Sequence, residues 1–233
     1  MEAVILAGGK GTRLKPYTAS LPKPLVPVGD YPIIEILLRQ FKKAGVTRAR
    51  LAVNHLAHLI EAVLGDGARF GLEVTYSMED RPLSTIAPIR RMTDLPEHFL
   101  VANGDVLTDL DVGELFQQHI GSDALVTVAT FRRRDRVDFG VLTVDDGGNV
   151  TAFEEKPEQA LSVSMGIYVF SREVLGFVPD DTPFGFDDLM YTLLERKSQV
   201  RAYPFDGYWL DIGRPDDYEQ AQADVELIEQ WLV

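Results

Sequence analysis

Two stretches near the start of this 233-residue chain carry side chains that could do chemistry on phosphates. The first is Leu6-Ala7-Gly8-Gly9-Lys10-Gly11-Thr12-Arg13-Leu14-Lys15-Pro16. Three glycines in four positions let the backbone approach a ligand and aim N–H groups at it. Thr12, Arg13 and Lys15 add a hydroxyl and cations suited to phosphate oxygens. A P-loop needs GxxxxGK[ST], which is missing, and a dinucleotide loop needs a third glycine where Leu14 stands. On the glycines alone, a phosphate loop and a plain strand-to-helix turn are both open. The second stretch is Pro22-Lys23-Pro24-Leu25-Val26-Pro27-Val28. Its prolines stiffen an extended segment, so Lys23 is held in place, either for a polyphosphate or as a solvated loop charge. Farther on, Asp105 follows the apolar run Phe99–Ala102, and Asp211 follows an aromatic-rich strand. Ligands of open α/β sheets gather at the carboxyl ends of strands. An aspartate taken alone at such a place is more readily a helix cap or a turn residue.

The elements that must position these residues alternate. Ala3–Leu6, Leu51–Val53, Leu72–Tyr76 and Phe99–Ala102 read as buried strands. Between them, Ile33, Ile34, Ile36, Leu37, Leu38 and Phe41 mark one side of a helix ending near Ala44-Gly45, and Leu56–Leu64 marks another. Continuous apolar strands alternating with helices predict a parallel sheet covered on both faces. The second half changes character. Ala124–Thr130 is rich in strand formers, Gly140–Val144 and Val150–Glu154 flank a hairpin turn at 145–149, and Gly166–Phe170 reads as a strand. Helices are predicted over about Asp187–Arg196 and Pro215–Trp231, the latter opened by a proline. The expected architecture is α/β: a Rossmann-like, mixed, mainly parallel sheet with helices on both faces. One domain is expected over 1–233, with a nucleotide-binding half over about 1–122 and an acceptor half over about 123–233.

Composition narrows the chemistry. No cysteine is present, which removes disulfides, thiol nucleophiles and cysteine-ligated metals, and the four histidines form no HExxH pair. The formal charge is −13, yet residues 1–23 carry a net +3. A basic island in an acidic chain points to one local anionic ligand and away from nucleic acid. No apolar run reaches the roughly 20 residues of a membrane span, and no basic segment precedes the first apolar run as in a signal peptide. No membrane partner and a cytoplasmic location are therefore expected.

Taken together, LAGGKGTRLKPYT and LPKPLVPV resemble the signature of the sugar-1-phosphate nucleotidylyltransferases, the pyrophosphorylases that make nucleotide sugars. The resemblance runs along nearly the whole chain through Asn103-Gly104-Asp105, Phe139-Gly140-Val141, Glu154-Glu155-Lys156-Pro157, Gly166-Ile167-Tyr168-Val169-Phe170 and Trp209-Leu210-Asp211-Ile212-Gly213. It implies in-line attack by a sugar-phosphate oxygen on the α-phosphorus of a nucleoside triphosphate, with pyrophosphate leaving. The substrate supplies the nucleophile, so catalysis is positioning and charge neutralisation. The resemblance gives catalytic roles to Arg13, Lys23, Asp105 and Asp211. Arg13 would neutralise the triphosphate, Lys23 would bridge the α-phosphate and the incoming phosphate, and Asp105 with Asp211 would hold Mg²⁺. Leu6, Ala7, Gly8, Gly9, Gly11, Thr12, Arg13, Lys23, Pro82, Ser84 and Asp105 would bind the nucleotide. Gly140, Glu155, Lys156 and Gly166 would bind the sugar phosphate. Lys10 and Lys15 could share the loop's task or be solvated charges. Guanylyl transfer to a mannose- or heptose-type 1-phosphate is the first expectation, with uridylyl, thymidylyl and cytidylyl transfer open. A non-catalytic nucleotide-sensing relative is a second reading, though the catalytic cations and carboxylates are retained. A GT-A-type glycosyltransferase is a third, and it lacks its DxD motif here. A homo-oligomer is compatible with all of these. The left-handed β-helix that follows this domain in some relatives is expected to be absent.

Two departures from the family pattern stand out. The usual PLGTAG loop at the base is Pro82-Leu83-Ser84-Thr85-Ile86-Ala87, so the side chains of Ser84 and Ala87 are expected where a base would meet backbone. The usual asparagine before GIYVF is replaced by Ser164-Met165.

Overall fold

The computed structural model describes residues 1–79, 81 and 83–232. In chain order the elements are β1 (Glu2–Leu6), β2 (Pro27–Val28), β3 (Tyr31–Pro32), α1 (Ile33–Lys43), β4 (Arg48–Val53), α2 (Ala57–Leu64), β5 (Glu73–Met78), α3 (Ala87–Arg90), β6 (His98–Asn103), β7 (Val106–Thr108) and α4 (Val112–Ile120). The second half continues with β8 (Val126–Arg136), β9 (Gly140–Val144), β10 (Val150–Glu155), β11 (Glu158–Ser171), α5 (Phe186–Glu195), β12 (Val200–Phe205), β13 (Trp209–Asp211), α6 (Pro215–Ala223) and α7 (Val225–Gln230).

Seven strands form one sheet in the order β12-β8-β11-β6-β1-β4-β5. β1 runs parallel to β4 and β6, β4 parallel to β5, and β12 parallel to β8; β11 alone is antiparallel to both of its neighbours. The expected mixed, mainly parallel sheet is thus observed. Its continuous apolar strands follow from burial on both faces: Ala3, Val4 and Ile5 of central β1 are all fully buried. Ile5, Leu51 and Leu100 point to one side, where Leu37, Leu38 and Phe41 of α1 and Leu115 of α4 complete a core. Val4, Val101 and Phe170 point to the other, beneath Ile89 of α3 and Leu189 and Leu193 of α5. The β6–β11 pairing joins the two halves of the chain through this sheet.

Three features differ from the sequence expectation. The C-terminal helix is broken into α6 and α7 at Asp224, whose carboxylate accepts from the Tyr208 hydroxyl (2.8 Å) and from Gln220 Nε2 (2.9 Å). The strands expected at Ala124–Thr130 and Gly166–Phe170 are the inner ends of much longer strands: β8 and β11 pair outward from the core as far as Arg136 and Glu158. The hairpin β9–β10 forms at the expected place, but every one of its residues is exposed, including Phe139 beside it and Phe153 within it.

Candidate active site

The site is built where β1, β4, β5 and β6 end. Past Leu6, the Ala7 N–H donates to Ala52 O (2.8 Å) and the Gly104 N–H donates to Leu6 O (3.0 Å). The glycine loop is thereby clamped between β4 and the β6–β7 turn. Gly11 is the position where glycine is required twice over. Its φ is +59°, and a Cβ there would come within 3.0 Å of Lys23 Cβ and Thr18 Cγ2. The Thr18 hydroxyl donates to Gly11 O at 2.7 Å, which closes the loop onto the lysine segment.

Lys23 begins a single 3-10 turn, Lys23–Leu25, with Pro24 in its first positions. It is one of few buried charged residues, at 8% exposure. Its ammonium donates to Asp105 Oδ2 and lies 3.9 Å from Asp211 Oδ1. The two aspartates meet because β7 pairs antiparallel with β13, setting Asp211 opposite Val106, while the Ile212 N–H donates to Asp105 O (3.1 Å). Burial pushes the Asp211 carboxyl up, and Asp105 adds to this; Lys23 and Arg13 act in the opposite direction. Arg13 is exposed and lies over the end of β13, its guanidinium within 4 Å of where a Cβ on Gly213 would stand.

A cavity of about 440 Å³ opens beside this cluster, lined by Leu6, Ala7, Gly8, Gly9, Lys10, Lys23, Asn54, Glu79, Ser84, Thr85, Asn103 and Asp105, among others. Its lining thus mixes two lysines, the glycine-loop backbone, the carboxylates of Glu79 and Asp105, and the hydroxyls of Ser84 and Thr85. Of the residues singled out for the nucleotide, Leu6, Ala7, Gly8, Gly9, Lys23, Ser84 and Asp105 line this space. Gly11, Thr12 and Arg13 flank it in the turn that follows. Pro82 lies outside the described residues. Ala87 corrects an expectation: it does not narrow the cavity. It begins α3, donates its N–H to Phe184 O (3.1 Å) and packs in the core. Ser84 sits at φ +68°, a left-handed conformation that glycine adopts without cost.

On the acceptor side, the residues divide. Gly166 (φ +74°) lies against Asn103, whose Nδ2 would be 2.6 Å from a Cβ there, so it belongs to the site's immediate surroundings. Gly140 and Glu155 are paired with each other at the base of the exposed hairpin, and Lys156 follows at φ +47°; none of the three lines the cavity. Glu79 is the residue the sequence reading missed. One carboxylate oxygen accepts from the Leu83 N–H (3.2 Å) and the other is turned to Gly8 at the cavity wall. Burial pushes its carboxyl up. The signal was available: Glu79 directly follows β5, as Asp105 follows β6.

The profile of the Nucleotidyl transferase family matches residues 2–227. The chain belongs to that family. It is 34% identical over 241 residues to the UTP–glucose-1-phosphate uridylyltransferase of Synechocystis sp., and 33% identical over 231 residues to the mannose-1-phosphate guanylyltransferase of Mycobacterium tuberculosis. These alignments cover 95% and 97% of this chain, which spans 62% and 64% of the relatives' lengths. Among solved structures, HddC from Yersinia pseudotuberculosis complexed with GMP-PN superposes with a TM-score of 0.75 at 27% identity, covering 96% of this chain and 98% of that one. A putative glucose-1-phosphate thymidylyltransferase from Bacillus anthracis gives a TM-score of 0.77 at 25% identity, over 97% of this chain and 95% of that one.

Proposed function

We propose that this nucleotidyl transferase moves a nucleotidyl group from a nucleoside triphosphate to a sugar 1-phosphate, releasing pyrophosphate. The observation that carries this reading is the convergence of Lys23, Asp105 and Asp211, from distant parts of the chain, beside a cavity floored by a glycine loop. In this reading the acceptor's phosphate oxygen is the nucleophile, so the site needs none of its own. Lys23 would hold the α-phosphate and the incoming phosphate together, and Arg13 would neutralise charge on the departing pyrophosphate.

Members of this family are expected to use Mg²⁺, and the residues present suit it. Among the described residues Asp105 Oδ1 is buried with no hydrogen-bond partner, as a carboxylate oxygen reserved for a cation would be. Asp211 is the second carboxylate within reach of the same lysine. Among the described residues no third acidic or histidine ligand joins them, so phosphate oxygens and water would complete an oxygen-rich shell. Bound there, the ion would supply charge neutralisation to the phosphates.

For the base, guanine is favoured by Glu79. An ionised carboxylate only accepts hydrogen bonds. Guanine presents two adjacent donors, its ring N–H and its amino group. Uracil and thymine present one N–H between two carbonyl oxygens that a carboxylate would repel. The names of the guanylyltransferase relative and of the GMP-PN complex support this choice, while those of the uridylyltransferase and thymidylyltransferase relatives support the uridylyl and thymidylyl alternatives. A mannose- or heptose-type 1-phosphate is the proposed acceptor. The test is a matrix of nucleoside triphosphates against sugar 1-phosphates, read by Mg²⁺-dependent pyrophosphate release. Turnover with GTP and one such acceptor is expected; release that is highest with UTP or dTTP refutes the guanylyl assignment, and none with any pair refutes the transfer reading.

A further inference from the structure

One long segment of the chain takes no part in these roles. Beyond Phe131, the last residue of β8 that β12 reaches, β8 and β11 run on as a two-stranded ribbon. The ribbon passes into the β9–β10 hairpin: Arg136 stands opposite Glu158, the Val137 N–H donates to Pro157 O (3.0 Å), and Gly140 stands opposite Glu155. Residues 132–156 are exposed without exception, and none of them lines the cavity. A two-stranded ribbon on its own is marginal in water. This one is also apolar, for Val137, Phe139, Leu142, Val144, Val150 and Phe153 are 45–76% exposed. The register sets Leu142 opposite Phe153 and Val144 opposite Val150, so these four share one face. A continuous apolar face of this kind marks a contact surface.

Charge is distributed unevenly along the ribbon. Its inner part, 132–136 with 158–162, carries four arginines against Asp135 and Glu158. Arg132, Arg134 and Arg136 alternate onto one face, and among the described residues none of the three has an ion pair or a side-chain hydrogen bond; Arg133 alone pairs, with Asp135. The outer part, 137–157, carries Asp138, Asp145, Asp146, Glu154 and Glu155 against Lys156 alone. At the turn, the Asn149 backbone N–H and side chain donate to Asp145 and hold its carboxyl below its ordinary value, so the tip stays negative.

We propose that this ribbon is the interface of a two-fold homodimer, in which the ribbons of two copies lie antiparallel, apolar face on apolar face, with the acidic turn of each beside the arginines of the other. A two-fold contact joins identical patches, so the patch must complement itself when reversed. The ribbon meets that condition. Gly140 lies midway between Arg134 and Asp146 and near the centre of the apolar stretch Val137–Val144, so reversal about this region brings base to acid at both ends. An anionic lipid surface suits the same face poorly, because carboxylates flank the apolar side chains.

The test is sedimentation velocity of the full chain over a dilution series, which needs no substrate and so stands apart from the transfer reading. Wild type should sediment as a dimer that dissociates on dilution. Leu142→Ser with Phe153→Ser should give a monomer with an unchanged far-ultraviolet circular dichroism spectrum, since both side chains are exposed. Charge reversal then tests the pairing. Arg134→Glu with Arg136→Glu makes one variant and Asp146→Lys the other; Asp145 is kept because it accepts from the Gly147 and Asn149 N–H groups of the turn. Each variant alone should self-associate about tenfold more weakly. An equimolar mixture of the two should recover dimers, because the acidic root of one meets the lysine at the tip of the other and the arginine root meets the acidic tip. A wild-type protein that is monomeric at every concentration overturns the proposal. So does a dimer that survives the serine substitutions, which uses another surface, or a mixture that associates no better than its parts.

Discussion

Glu79→Gln should change which nucleotide the protein prefers without unfolding it. The existing hydrogen bonds show why. Leu83 N–H donates to one carboxylate oxygen of Glu79 at 3.2 Å, and a glutamine keeps an oxygen for that bond. The second oxygen, turned to Gly8 and the cavity, becomes an amide NH₂. A donor then faces guanine's own donors where an acceptor stood. A hydrogen bond to a charged group contributes about 1.5–3 kcal/mol. Losing one and opposing two donors should cost GTP about 2–3 kcal/mol, or roughly 30- to 150-fold in kcat/KM. UTP, whose carbonyl oxygens can accept from the new amide, should gain. The assay is pyrophosphate release at a fixed sugar 1-phosphate, with kcat/KM measured for each nucleotide in both proteins and melting temperatures compared. A GTP-to-UTP ratio unchanged by the substitution would refute the reasoning, because Glu79 then does not meet the base.

Other consequences are equally concrete. Arg13→Ala should lower kcat by about 10²–10³, the cost of one preorganised charge contact, and a folded variant with normal turnover would remove Arg13 from the phosphates. Asp105→Asn and Asp211→Asn should each raise the Mg²⁺ concentration needed for half-maximal activity; titrations that superimpose on wild type would reduce both to partners of Lys23. Ser84→Gly should raise stability by about 1 kcal/mol, since a non-glycine residue at positive φ costs about 1–2 kcal/mol, whereas Ala87→Gly should lower it by about 1 kcal/mol within its helix; denaturant midpoints of the two variants that move in the same direction would contradict this. His119 is buried between Thr127 Oγ1 (2.8 Å) and Ser171 Oγ (3.1 Å), and burial, with His98 adding, lowers its pKa from 6.5 to about 4. The unfolded chain therefore takes up this proton first as pH falls. The contribution is complete above about pH 6.5 and is lost towards pH 4, on the order of 3 kcal/mol in all; a His119→Gln variant whose urea midpoint falls as steeply as wild type over that window would show the loss comes from elsewhere.

How much of this was legible in the residues depended on whether the information was local. Ala3–Leu6 and Phe99–Ala102 declare buried strands because both faces of a central strand are apolar. The glycine loop declares itself because Gly11 needs a conformation and a closeness that only glycine permits. The resemblance could name Lys23, Asp105 and Asp211. Their convergence required β7 to pair with β13, about a hundred residues on, and the Lys23 turn to reach Asp105, 82 residues away, and Asp211 farther still. Burial is likewise a property of the whole fold. It moved Ala87 out of the cavity wall and into the core, brought Glu79 to the cavity wall, and left Gly140 and Glu155 on an exposed hairpin. The bulge at Ser164–Tyr168 could not be read from β11 alone, because a register slip exists only between two strands. Residue types and short spacings settled the kind of chemistry available. Which oxygen faces which proton was decided by long-range packing, since hydrogen bonds and electrostatic effects depend on distances that only the folded chain sets.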